Sequence, residues 1–169
     1  MRRLLIPVDG SANSLCAVHH ALGEYRKNPQ TSIHLLNVRP RMSRYLARHV
    51  SKRDREQWRQ GEAEKALRPA RELLDKSGIP YAAHVETGDT AEAVVTKARD
   101  LRCDCILIST ARKDSLNRLL AASVTNRILA LTDIPVEIVV GRDVSNLESI
   151  GIPAGVGLGI AGLIMLVLD

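Results

Sequence analysis

The residues best placed for chemistry lie near the start of the chain, where the apolar run Leu4-Leu5-Ile6-Pro7-Val8 breaks into Asp9-Gly10-Ser11. Asp9 offers a carboxylate directly after a buried segment. Ser11 and Ser14 stand in what should be the first turn of a helix, where hydroxyls and free backbone N–H groups favour an anion. A short strand feeding a tight turn and a helix N-terminus is how an open parallel α/β sheet begins. Such sheets bind ligands outside the carboxyl ends of their strands, where strand order reverses. The same residues also have a plainer use, since Asp-Gly makes a turn and Ser caps a helix.

Other residue types offer less. Five histidines are dispersed, and His19-His20 lies mostly off the core face of its helix, so surface imidazoles are expected. Cys103-Asp104-Cys105 would place two thiols on one strand face, but tetrahedral zinc needs four ligands and none is suggested nearby. The chain contains no H-E-x-x-H, no G-x-S-x-G and no P-loop. These observations point away from an enzyme and away from a bound metal.

Positioning Asp9 and Ser11 requires alternating strands and helices, and the pattern supplies them. After Ser11, apolar residues at Leu15, Val18, Leu22 and Tyr25 mark one helix face, closed by Asn28-Pro29. Ser32–Val38 reads as a second strand and is followed by a polar, basic connection. Ser51-Lys-Arg-Asp54 resembles a capping arrangement for a helix with Ala63, Ala66, Leu67, Ala70, Leu73 and Leu74 on one face. Pro69 should kink this helix and Gly78 should stop it. Tyr81–Thr87 reads as a third strand, with Gly88-Asp89-Thr90 as turn and cap and a helix burying Ala91, Val94, Val95, Ala98 and Leu101. Cys105–Ser109 is a fourth strand, apolar on both faces as a central parallel strand should be. A helix carrying Leu116, Leu119, Leu120, Val124, Ile128 and Leu131 then leads to a fifth strand, Val136–Val140. The expected fold is α/β: a doubly wound five-stranded parallel sheet with helices on both faces, plus a C-terminal apolar helix.

At 169 residues and 45% hydrophobic content the chain suits one domain with a short appendage. It has no Phe and one Trp, so the core must be aliphatic. The formal charge is +5, with basic residues gathered between Arg39 and Arg59. Such a run is commonly a solvated face, although it would also attract anionic lipid. With so few aromatics there is no platform for stacking bases, and nucleic acid is not an expected partner. Three cysteines without C-x-x-C spacing fit a reducing, cytoplasmic setting, and the first apolar run is too short for a signal peptide.

From Arg3 to about Arg142 the sequence resembles a universal stress protein domain. The resemblance rests on Ile6-Pro-Val-Asp-Gly-Ser11, on Glu86-Thr-Gly-Asp-Thr-Ala-Glu92, and on the block from Ile108 to Val140. In that block Leu116, Arg118-Leu119-Leu120, Ser123-Val124, Ile128-Leu129 and Pro135-Val136 match the family. It implies a five-stranded parallel sheet, a soluble dimer and a role in surviving stress or starvation. Many members bind ATP through G-x-x-G, a longer spacer, and then G followed by Ser or Thr. Here those glycine positions hold Ser109, Arg112 and Ala122, and only the final hydroxyl, Ser123, matches. A side chain where the family's glycine adopts positive φ costs roughly 1 kcal/mol or more. Arg112 and Lys113 could still neutralise phosphate by charge. The nucleotide-site candidates are therefore Asp9, Ser11, Arg112, Lys113 and Ser123. The expectation is no bound cofactor, with ATP and magnesium as the alternative.

Beyond this domain (residues 1–142) and a linker (143–149), residues 150–169 form an apolar, Gly-rich tail with no charge between Ile150 and Leu168. As a helix the uncharged part would be about 28 Å long at ~1.5 Å per residue, close to the ~30 Å hydrocarbon core of a bilayer. Gly151, Gly155 and Gly159 make a small-residue stripe suited to close packing. Gly157-x-Gly159-x-x-Gly162 imitates a dinucleotide fingerprint but lacks the strand and the ribose-binding acid. The sequence thus predicts a non-catalytic stress-response protein acting by binding, or else an ATP-binding regulatory switch. It should be a cytoplasmic homodimer through the last strand, with the tail either anchoring it to the inner face of the membrane or docking as an arm on its own domain or on the dimer partner.

Overall fold

The computed structural model describes residues 2–41, 50–110 and 124–140. The expected helix start at Leu116–Leu120, the linker, the apolar tail and the candidates Arg112, Lys113 and Ser123 lie outside the described residues. Within them, strand and helix alternate: β1 (Arg3–Pro7), α1 (Ala12–Lys27), β2 (Ser32–Arg39), α2 (Lys52–Lys76), β3 (Tyr81–Thr87), α3 (Thr90–Asp100), β4 (Cys105–Thr110), α4 (Val124–Leu131) and β5 (Val136–Val140). All five strands are parallel, in the order β3-β2-β1-β4-β5. The chain therefore builds outward from β1 on one side, then returns to the other side with β4. The reversal falls between β1 and β4.

The ladder on the two sides of β1 is unequal. β1 and β2 pair from Arg3–Ser32 to Pro7–Leu36, whereas β1 and β4 pair only at Leu4–Cys105 and Leu5–Ile106. The amide of Val8 donates to Leu36 O at 2.8 Å, so the neighbouring residue on β1 directs its backbone nitrogen toward β4. That residue is Pro7, which has no N–H to give. The β1–β4 ladder ends where proline makes it end.

Each face of the sheet carries its own aliphatic core. On one face Leu4, Ile6, Ile33, Leu35, Cys105 and Leu107 meet Ala17, Val18, Ala21 and Leu22 of α1 and Leu67, Ala70 and Leu74 of α2. On the other, Leu5, Leu36 and Ile106 meet Ala91, Val94, Val95 and Ala98 of α3 and Ile128 of α4. Burying each large aliphatic side chain stabilises the fold by about 1.5–3 kcal/mol. α2 continues through Pro69, which leaves the Lys65 carbonyl without its helical donor. Ser51 caps α2 as expected, its Oγ accepting from Asp54 N–H at 3.1 Å and donating to the Asp54 carboxylate at 2.7 Å.

α4 departs from expectation. Of its apolar positions only Ile128 is buried, while Val124, Leu129 and Leu131 are exposed. This helix packs chiefly against α3 rather than across the sheet, so a single residue reaches the core. On β5, Ile138 and Val140 are likewise exposed, at 43% and 41%.

Gly10 locks the turn after β1 onto α2. Its φ is +86°, and a Cβ added there would sit 3.0 Å from the Ala66 Cα. Gly10→Ala should therefore lower stability by about 1–3 kcal/mol through left-handed strain alone, with the contact adding to it. Urea unfolding with an unchanged midpoint would show that neither constraint operates.

Candidate functional site

The reversal of strand order puts the ends of β1 and β4 side by side, and Asp9-Gly10-Ser11 follows β1 there. Asp9 and Ser11 are held to each other. The Ser11 hydroxyl and amide both donate to Asp9 Oδ1, at 2.6 and 2.9 Å. The Ser11 Oγ also accepts from Ser14 N–H at 3.1 Å, so it caps α1 while restraining the carboxylate. The Ser14 hydroxyl donates back to Ser11 O at 2.9 Å and is buried. Partial burial pushes the Asp9 pKa up, but hydrogen bonds from Ser11 and Ser14 outweigh it and leave the carboxyl below its ordinary value. Asp9 is thus a charged acceptor at the rim. Neither Ser11 donor uses Oδ2.

Two fasteners frame this rim, and neither was anticipated from the sequence. On the β2 side, Asn37 Nδ2 donates to Val8 O at 2.6 Å from within the sheet. Asn37 is 2% exposed, and its Oδ1 is buried without a hydrogen-bond partner among the described residues. On the β4 side, the Ser109 hydroxyl donates to Asn13 O while Asn13 Nδ2 donates to Ser109 O at 3.3 Å. Ser109 stands at the first of the three positions where the sequence resemblance places a glycine. Its hydroxyl ties the end of β4 to the first turn of α1. A signal for Asn37 was present in the chain, as a lone amide in the apolar run Leu35-Leu36-Asn37-Val38. The Asn13–Ser109 exchange needs the strand order before it can be seen.

The structure thus brings together Asp9 and Ser11, while Arg112, Lys113 and Ser123 lie outside the described residues. At the end of β3, Asp89 caps α3 by accepting from Ala91 and Glu92 N–H, both at 3.1 Å, and pairs with Arg127 of α4 at 2.6 Å. The Arg127 hydrogen bond holds the Asp89 carboxyl below its usual range.

The histidines and cysteines require correction. His20 is not a surface imidazole: its side chain is 15% exposed, with Nε2 2.7 Å from Glu137 Oε1. His34 and His84 stack across β2 and β3, with Nδ1 and Nε2 3.2 Å apart. Burial lowers both of their pKa values, helped at His34 by the charge of its neighbour. Cys103 and Cys105 do not share a face, because Cys103 precedes β4 and packs into one core while Cys105 points into the other. Burial pushes the Cys103 thiol up to about 11. Among the described residues no group of three or more His, Cys, Asp or Glu could hold a metal.

The model of the universal stress protein family matches residues 1–140. A universal stress protein of Methanocaldococcus jannaschii is 26% identical over 140 residues, covering 82% of this chain and 81% of that protein. A universal stress protein family member from Arabidopsis thaliana, solved with AMP bound, superimposes with a TM-score of 0.61 at 18% identity, covering 86% of this chain and 94% of its own. The universal stress protein of Archaeoglobus fulgidus in complex with dAMP gives 0.60 at 17% identity, covering 82% and 97%. At these identities the structural likeness is one of fold.

Because the Ser11 bonds form with the carboxylate, their contribution is present above the ordinary carboxylate pKa. It is lost as pH falls through the lower native value. Ser11→Ala should therefore raise the Asp9 pKa, read by carbon-detected NMR titration, and destabilise the protein more at neutral pH than in acid. A pH-independent loss of about 1 kcal/mol from the missing cap would remain. An unmoved Asp9 titration would show that Ser11 does not hold the carboxylate.

Proposed function

As this chain belongs to the universal stress protein family, we propose that it is a non-catalytic stress-response protein that acts by binding, and that it holds ATP weakly or not at all. The observation that carries this reading is the Asn13–Ser109 exchange of hydrogen bonds across the reversal point. It occupies with a side chain the backbone edge that a phosphate or ribose would need to approach. Arg112 and Ala122, at the other two glycine positions, add bulk in the same sense.

A second reading, an ATP-binding switch with magnesium, is favoured by the AMP and dAMP held by the two structural relatives. Asp9 would then accept from a ribose hydroxyl, while Arg112, Lys113 and Ser123 would meet phosphate. Calorimetry separates the two. The chain as it stands should show no affinity for ATP and magnesium near the micromolar level, about −8 kcal/mol. Ser109→Gly should bind more tightly by opening the crevice. Micromolar binding by the unaltered chain, reduced by Asp9→Ala, would establish the switch instead.

We also propose a homodimer through β5 and a tail that enters lipid. β5 is an edge strand whose Ile138 and Val140 are exposed, and such edges need cover. Among the described residues no helix is long and apolar enough to cross a membrane, so the lipid proposal rests on the uncharged sequence of residues 150–168. A chain stopped after Asn146 should sediment as a dimer at tens of micromolar (an association of about −6 kcal/mol) and stay in the soluble fraction of cells. The full chain should go with membranes. A monomer in the first measurement would refute the β5 interface, and a soluble full chain in the second would replace the anchor by a docked arm.

A further inference from the structure

Away from the reversal point, where the ends of β2 and β3 meet the start of α2, lies a cleft of about 280 Å³. Arg41, Arg55, Trp58, Arg59 and Thr87 line it, and none of Asp9, Gly10 or Ser11 does. Arg39 lies over the Trp58 ring, its Cζ 5.8 Å from the centroid. Trp58 nevertheless remains 49% exposed, which is unusual for the only tryptophan of a chain with no phenylalanine.

The charges here do not cancel. Arg59 gives one nitrogen to the Glu56 carboxylate and another to Thr87 Oγ1 at 3.2 Å. Arg39 faces Glu62 at 3.8 Å, and Glu62 is also held by Lys65 at 2.7 Å. Among the described residues Arg41 and Arg55 have no carboxylate partner, and Arg55 Nε is buried with no hydrogen-bond partner. Among the described residues two guanidinium charges are thus left without an ion pair, which matches a dianion. Planar guanidinium forks suit phosphate oxygens in pairs. Thr87 Oγ1 already accepts from Arg59, so its own proton is free to be donated to the same anion. Beside these groups the exposed indole offers a flat apolar wall. The volume is just below the ~300 Å³ at which pockets for drug-sized ligands begin, so the ligand must be small.

We propose that this cleft binds a small phosphate ester carrying a planar ring, with the phosphate on Arg41, Arg55 and Thr87 and the ring against Trp58. The site is independent of the reversal point, and its ligand need not be a nucleotide.

Trp58 is the sole tryptophan, so its emission reports the site directly. Phenyl phosphate is the probe, with inorganic phosphate and phenol as its two halves. Phenyl phosphate should change the Trp58 emission to saturation and bind at least about tenfold more tightly than either half. Arg55→Gln and, separately, Arg41→Gln should each weaken it about tenfold, with the fold checked by far-UV circular dichroism. Arg41 lies outside any helix, so at least one variant leaves α2 intact. Asp9→Ala should leave the affinity unchanged. In Trp58→Leu, followed by calorimetry, phenyl phosphate and inorganic phosphate should become equivalent. No saturable change with phenyl phosphate, phenol binding as well as phenyl phosphate, or indifference to both arginine substitutions would each overturn the proposal.

Discussion

Pro7 withholds one N–H from β4, and the geometry of the candidate site follows from that omission. In a parallel sheet the backbone nitrogens alternate between the two neighbours. With Val8 committed to Leu36, the next bond toward β4 would have to come from Pro7. The ladder therefore stops after Leu5–Ile106, at the place where strand order reverses. A reversal point alone makes a crevice possible. A missing donor at its mouth leaves the ends of β1 and β4 to be joined by side chains.

Side chains do join them, and their chemistry decides what the crevice is for. Asn37 secures the β2 side by reaching the Val8 carbonyl, and Ser109 with Asn13 secures the β4 side. Between them Gly10 turns the chain against Ala66, and Ser11 holds the Asp9 carboxylate. The turn that begins the fold is thus fixed from three directions.

Much of this was legible in the chain. The strand and helix order, the Ser51 and Asp89 caps, and the buried faces of α1, α2 and α3 follow from spacing and capping chemistry, which act within a few residues. The turn at Asp9-Gly10 and the Ser11 cap were legible for the same reason. The rest depends on contacts between distant segments. His34 and His84 look unrelated until β2 and β3 pair in register, and Cys103 and Cys105 look like neighbours until the strand is seen to begin only at Cys105. The exposed apolar residues of α4 have the periodicity of a core face, yet periodicity cannot say that the helix rests on α3 instead of the sheet.

The strand order also sets a sequence of events during synthesis. β1 emerges first and finds β2 and β3 soon after, so three strands and the helix between the last two can assemble from the first half of the chain. The other edge of β1, however, pairs with Cys105 and Ile106, about a hundred residues downstream. Until those residues leave the ribosome, Leu4 and Leu5 sit at the border of an incomplete sheet with one face of each core unfilled. Such an edge is open to foreign strands. The central strand of the finished protein is thus an exposed margin in the nascent one, and β4 closes it.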